Sequence, residues 1–463
     1  MFMDFLRRSG RFSPVAVVLL LLISYGTIAY GLLISNGMYH PPALLWVGGG
    51  WVALCLAAVL FRHASGHTSV STLFFRIACA VAVMMFLFMG QSAVPGIYIR
   101  QPDFIVRFKS LSLLMVLLVL IILLISSVRS LRWMHRGLFV ACLLFFASLY
   151  FGMLRASPAP VIDVFSMLRD SSASLLQGLN PYTTPFVDPY GGAPGLPWNK
   201  AEVLVYPPVT LLPAVAGAVL AGDVRFFSVV SVLFVGLMLW WVVRRKDEVA
   251  GELLCLLWLA HPRGLFVIEQ SWVDPAALAV LGMAILLLRS KFIAYATALF
   301  GLFVSFKQYL IFALVPAMRI TRSPRSLAWL LLPPLIVALP FFIWDPAAFI
   351  NNAILFQLKT AFRSDSLTLA AYLSNVYGIG LGKWWTLLVG VTASGMTFLL
   401  PSTSPRTTLL FSMSLIFLSF FFFLGVQGFC NYYYFACGLI LMTLALMIGE
   451  ERQDELIETS EMN

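Results

Sequence analysis

The sequence predicts an all-α, polytopic integral membrane protein with about fourteen transmembrane helices and further helices lying along the outer membrane surface. Three observations carry this reading. The chain has 463 residues, of which 61% are hydrophobic and 11% charged, whereas a soluble domain is roughly 45–50% apolar and 25% charged. Apolar runs of about 16–22 residues recur along the chain, each long enough to cross a bilayer with some tilt or thinning. Basic residues gather between alternate runs, the pattern that sets membrane orientation.

Taken in order, the spans fall near 14–35, 43–61, 72–90, 110–128 and 137–154, then 226–243, 250–266, 275–288, 292–306, 308–318, 327–344, 384–400, 407–425 and 431–448. With Arg7, Arg8 and Arg11 cytoplasmic, alternation puts Arg62, Arg76, Arg132, Arg136, Arg244-Arg245-Lys246 and Arg289 on the same side. That agreement requires the apolar stretch 205–221 to lie on the outer surface without crossing. Both termini are then cytoplasmic, in a multi-pass protein of the inner (cytoplasmic) membrane. The chain divides into four N-terminal spans (1–130), a core with a long outer loop at 156–205 (131–345), an outer loop with the last spans (346–449) and an acidic cytosolic tail (450–463). The first apolar run lacks a small-residue cleavage site, so no cleavable signal peptide is expected.

Several chemistries are set aside. The six cysteines sit in or beside apolar runs without disulfide or ligand spacing, and the five histidines are scattered, so no metal site or redox framework is expected. The net charge of +10 reads as an orientation signal, and nucleic acid is not an expected partner. Membrane lipids are.

Polar residues concentrate on the outer side. The loop 156–205 is about fifty residues long, and loops of that size are commonly functional. It contains VIDVFSMLRDSSASLLQGLNPY, which reads as a short helix near 162–177 with Asp163 at its start, followed by a turn at Asn180-Pro181-Tyr182. Tyr206 belongs to the VYPP motif that begins the surface helix. A second outer segment, 345–383, reads as another surface helix and carries Lys359 and Arg363. On the same side lie His261, Arg263, Glu269, Gln270 and Asp274, then Lys307 and Gln308, then Gln427, Asn431 and Tyr432–Tyr434. Ionisable groups at membrane depth are expensive and mark functional sites by default.

An acid just beyond a transmembrane helix, a helix ending in LLQGLNPY and a YPP-led juxtamembrane helix together resemble the polyprenyl-phosphate-sugar-dependent glycosyltransferases of the GT-C superfamily. The nearest likeness is to the bacterial polyprenyl-phosphate-mannose-dependent mannosyltransferase branch. WVDPAALAVLGMAILLL followed by GLFVSFKQYLIFALVPA adds to it, and the likeness covers about residues 137–320. It departs from the family in the four extra spans ahead of the matching one.

The resemblance implies inverting transfer of a sugar, mannose in that branch, from a polyprenyl-phosphate carrier to a hydroxyl of a glycolipid or glycan acceptor, with no cofactor and no metal. Such chemistry needs a carboxylate to take the acceptor's proton and cationic groups for the leaving phosphate. Asp163 matches the family's catalytic acid, and Asp170, two helical turns on, is the rival. Lys307 is the first candidate for the donor phosphate, with Arg263 and His261 as assistants. Asn180, Tyr182, Tyr206, Gln270 and Asp274 are candidate substrate-binding residues, and Lys200, Lys359 and Arg363 candidate carrier or acceptor contacts. Two alternatives stay open. A lipid-linked glycan polymerase or ligase would lean on Arg263 and His261, and a transporter would place its ionisable groups at the midplane. The sugar, the acceptor, the carrier length and the oligomeric state do not follow from the sequence.

Overall fold

The structure, a computed structural model, describes residues 14–63, 72–191, 201–318, 323–400, 404–423 and 426–449. The N-terminal arginines, Lys200, Arg319, Arg322 and the acidic tail lie outside the described residues. The described chain is helical between its loops, with one isolated bridge between Met38 and Ser366.

Nine helices among the described residues are long and apolar enough to cross a membrane. They include α1 (Pro14–Ser35), α2 (Pro41–His63), α3 (Thr72–Met89), α4 (Pro102–Ile125) and α5 (Arg132–Ala156). The short amphipathic α6 (Asp163–Leu176) and the short, wholly apolar α7 (Leu211–Ala221) come next, and the long α8 (Phe226–Val243) follows. The middle of the chain is built from shorter pieces: α9 (Glu248–Leu259), α10 (Gly264–Glu269), α11 (Asp274–Arg289), α12 (Ile293–Val304), a 3-10 segment Gln308–Ala313 and α13 (Leu314–Ala317). The long α14 (Pro324–Trp344) leads to α15 (Pro346–Phe349), a π-helical turn Ile350–Leu355, α16 (Phe356–Lys359) and α17 (Leu369–Tyr377). The chain closes with α18 (Lys383–Met396) and the long α19 (Pro405–Phe423) and α20 (Cys430–Gly449).

The expectation of about fourteen full-length spans is therefore met only in part. The segments expected at 250–266, 292–306, 308–318 and 384–400 form shorter or broken helices, while 275–288 is met by the unbroken but short α11, and two of the breaks have a local cause. Pro262 disfavours helical geometry at His261 and separates α9 from α10. Lys307 is fully extended (φ −147°, ψ 147°) and separates α12 from the 3-10 segment. The segment 345–383 is also not the single surface helix expected. It breaks at Thr360 (ψ 133°), and its last helix, α17, is capped by the Thr368 hydroxyl and stopped by left-handed Gly378. The two helices of the long loop agree with expectation. α6 starts at Asp163, and YPP leads through a 3-10 turn into α7, which ends at left-handed Gly222.

Helix α20 is the centre of the bundle and is almost wholly buried. It packs against α1, α8, α9, α10, α11 and α19. Tyr309 packs edge-on against Phe421 and Phe312 tilts against Phe420 near the end of α19, while Ala317 and Leu409 line one small pocket near its start. The segment 308–317 thus runs antiparallel to α19.

One end of the bundle holds the hairpin 36–40, the loop 90–101, α6, α7, α15–α17 and the start of α20. Here α6 turns Val164, Phe165, Met167 and Leu168 into a second apolar cluster with Tyr182, Leu204, Phe341 and Phe349. Burying such side chains stabilises the cap by about 1.5–3 kcal/mol each. The opposite end is held by ion pairs. Arg76 forms a bidentate pair with Asp247, which also caps α9, and buried His135 meets Glu252 at 3.2 Å.

Gly301 lets α12 and α14 meet backbone to backbone, because a Cβ there would fall on the Leu330 carbonyl oxygen. A Cβ at Gly26 would meet nothing within 4 Å. Overpacking of this kind costs about 1–3 kcal/mol. Gly301→Ala is thus expected to lower the melting temperature in detergent by several degrees, while Gly26→Ala leaves it unchanged or higher. Equal shifts for the two would contradict this packing.

Candidate active site

The loop-rich end brings two groups of polar residues together, one built on α6 and one on the broken helices. Asp163 is the first residue of α6, and its half-buried carboxylate accepts the next backbone N–H, Val164, at 2.8 Å. Its own N–H points at the Tyr190 hydroxyl (3.4 Å). Partial burial raises the Asp163 carboxyl above the usual carboxylate range, against the opposing pull of the Val164 N–H and the Arg363 charge. Tyr98, Tyr190 and Tyr206 all lie within reach of that carboxylate's charge, which adds to the burial that pushes their hydroxyls upward. Arg363 is oriented by a bidentate pair with Asp365 (2.6 and 2.7 Å) and stacks over Phe429.

The second group centres on a buried ion pair. Asp274 begins α11, where a carboxylate suits the helix dipole. Both its oxygens accept from Lys307 Nζ (2.8 and 3.0 Å), one from the Tyr309 hydroxyl (3.1 Å) and one from Asn431 Nδ2 (3.0 Å). Lys307 reaches it because the extended backbone at 307 turns the side chain back between α11 and α20. The rings of Tyr206, Tyr309 and Tyr432 surround the ammonium at 5.2–5.9 Å, close enough for cation–π attraction. Tyr206 stands between the two groups, within reach of the charges of both Asp163 and Asp274.

A cavity of about 430 Å³ runs from this ring of tyrosines along the 3-10 segment, α18 and α19. Its walls are apolar at Phe312, Trp384, Leu387 and Phe420, and it ends at Tyr309 and Tyr432. Gln427 donates to the Tyr432 hydroxyl at that end (3.3 Å). An apolar channel ending at a polar, aromatic-lined head suits an amphiphilic ligand.

The other sequence candidates have different surroundings. Asp170 is held by its neighbour Arg169 and by the Val187 N–H, so it fastens the returning loop to α6. Asn180 makes the expected turn, its Oδ1 accepting from Tyr182 N–H. Tyr182 is 1% exposed, donates to the Tyr206 carbonyl and packs edge-on against Phe341 and Phe349, so it supports the cap from within. Gln270 donates to Glu269. His261 Nδ1 accepts the Arg263 N–H, and its ring packs edge-on against Tyr25 and Tyr434. Arg263 donates to the carbonyls of Leu32 and Leu33 at the end of α1 and to that of Val94. Neither His261 nor Arg263 joins the Asp163 or Lys307 group. Lys307 does not stand alone as a cation, because Asp274 neutralises it.

Sequence reasoning missed Tyr98, Tyr190 and Tyr309. Tyr98 comes from the loop between α3 and α4, which ties the N-terminal helices to the site. Glu269 accepts the N–H groups of Ile97 and Tyr98 (2.6 and 2.8 Å), and Arg100 donates its N–H to the Ala156 carbonyl. Gly96 is required there, since any Cβ would collide with the Glu269 carboxylate.

Comparison of the chain with protein-family models, with curated proteins and with solved structures finds no match.

Breaking a buried ion pair from one side leaves an uncompensated charge, at a cost of about 3–5 kcal/mol. Lys307→Met should therefore strongly reduce the yield and melting temperature of the purified protein, and adding Asp274→Asn should restore much of the loss. No recovery in the double variant would contradict the pairing.

Proposed function

We propose that this protein is an integral membrane glycosyltransferase that moves a sugar, mannose by resemblance, from a polyprenyl-phosphate carrier to a hydroxyl of a glycolipid or glycan acceptor, with Asp163 as general base. The observation that carries the reading is the apolar cavity that ends at Tyr309 and Tyr432, with Tyr206 linking that end to a partly buried carboxylate. A prenyl chain fits the channel, and its phosphate then lies at the polar end. Lys359 and Arg363, on the segment that borders the channel, are the cations we assign to the departing phosphate, while the Asp274–Lys307 pair fixes the tyrosines around it. Asp163 takes the proton of the attacking hydroxyl, and the raised carboxyl strengthens it as a base. A phosphate leaves readily, so one carboxylate suffices, unlike glycoside hydrolysis.

Topology fits this reading. Nine helices among the described residues are long and apolar enough to cross, and in the proposed topology five shorter units (α9 with α10, α11, α12, 308–317 and α18) bring the crossings to fourteen. The Arg76–Asp247 and Arg136–Glu248 pairs lie at the end opposite the site. Basic residues favour the cytoplasmic side, so the site faces the periplasm or exterior of the cytoplasmic membrane and both termini are inside. A polymerase or ligase reading draws no support from Arg263 and His261, whose hydrogen bonds are made within the bundle.

The test is transfer by the purified protein from polyprenyl-phosphate-mannose, and from the glucose and arabinose forms, to a membrane lipid extract. Asp163→Asn should lower the rate ~100-fold or more, while Asp170→Asn keeps most of it. Full activity in Asp163→Asn, or no transfer from any donor, would overturn the proposal. The pH profile has a definite sign. The base acts unprotonated, so the rate should climb as pH rises through the raised Asp163 pKa. The folded state holds that proton more tightly than the unfolded chain, so its contribution to stability is complete at low pH and is lost as pH rises through the folded value. Asp163→Asn should therefore melt no lower than wild type at pH 7, even as it loses activity.

A further inference from the structure

A second cavity, of about 650 Å³, lies at the same end of the bundle but among the N-terminal helices. It is bounded by the end of α1, the turn after α3 and the start of α10, with Tyr30, Ile34, Ile97 and Phe266 among its apolar walls. Arg263 is the one charged side chain in its lining and is itself 7% exposed.

The bonding of Arg263 is unusual. A guanidinium carries five N–H donors, and three are given to the carbonyls of Leu32, Leu33 and Val94. Each terminal nitrogen keeps a second N–H. No carboxylate pairs with it among the described residues. The nearby Glu269 carboxylate is taken up by the Ile97 and Tyr98 N–H groups and by Gln270. The cation is thus held by the carbonyls that end α1, by the Val94 carbonyl and by the Phe266 ring, with no anion among them. A buried charge without a counter-charge is costly, so the site is electrostatically one partner short. Its depth also matters, since α1 ends at Ser35, where a spanning helix meets the headgroup layer.

We infer that this cavity binds the anionic headgroup of a membrane lipid, with the phosphate against Arg263 and the start of the acyl chains against Tyr30, Ile34 and Phe266. The shared chemistry is a phosphate, and the apolar walls select one that carries chains. This site is separate from the channel at Tyr432 and does not depend on the glycosyltransferase reading.

The test is lipid binding to the full-length protein in detergent, by native mass spectrometry and thermal shift. Phosphatidylglycerol, phosphatidylcholine and inorganic phosphate are the probes. Ala93→Phe fills the cavity from its lining and keeps the Arg263 side chain in place of substituting it, which guards against misfolding in Arg263→Gln. Phosphatidylglycerol should bind at least tenfold more tightly than phosphatidylcholine, and Ala93→Phe should weaken it tenfold or more while leaving the unliganded melting temperature close to wild type. Equal binding of the two lipids, unchanged binding in Ala93→Phe, or inorganic phosphate stabilising as well as phosphatidylglycerol would each overturn the assignment.

Discussion

The buried pair between Asp274 and Lys307 is the interaction on which the rest of the loop-rich end depends. An aspartate and a lysine inside a bundle this apolar survive only because each satisfies the other and the remaining lone pairs are filled by Tyr309 and Asn431. Meeting those partners requires α11 to begin at Asp274, the chain to unwind at Lys307 and α20 to bring Asn431 alongside. The break at Lys307 follows from this requirement. The reward is a rigid ring of tyrosines where the apolar channel ends.

The site is assembled from distant parts of the sequence. α6 supplies Asp163, the loop before α7 supplies Tyr206, and the segment after α16 supplies Arg363. The loop between α3 and α4 supplies Tyr98, held in place by Glu269 on α10. The four N-terminal helices are thus tied into the same assembly as the core. Their loop packs beside the segment that leads into Asp163, through the Arg100–Ala156 hydrogen bond.

Much of this architecture is legible in the sequence, for physical reasons. Long apolar runs without breaks, as in α1–α5, α8, α19 and α20, declare themselves because a bilayer leaves the backbone no other partner. Asp163 at the head of α6 and the YPP turn before α7 follow local rules of dipole and proline geometry. The broken helices are less legible. Their hydropathy is that of spans, and their interruptions are set by one proline at 262 and one extended residue at 307. Lys307 reads as an isolated cation, because its partner lies 33 positions away. Tyr98, Tyr190 and Tyr309 carry no local signal, since ordinary loop and interface tyrosines look the same. Arg263 reads as a phosphate ligand for the main site, yet its side chain turns to the end of α1, a contact that no spacing rule reveals.

In the proposed reaction, the channel between the 308–313 segment, α18 and α19 delivers a lipid phosphate to the tyrosine ring beside Asp163. A photoactivatable polyprenyl phosphate, crosslinked to the full-length protein in nanodiscs and mapped by peptide mass spectrometry, tests it most directly. Labelling is expected at Phe312, Trp384, Leu387 or Phe420, competed away by unlabelled polyprenyl phosphate. Competable labelling confined to other helices, with this channel unmarked, would contradict it.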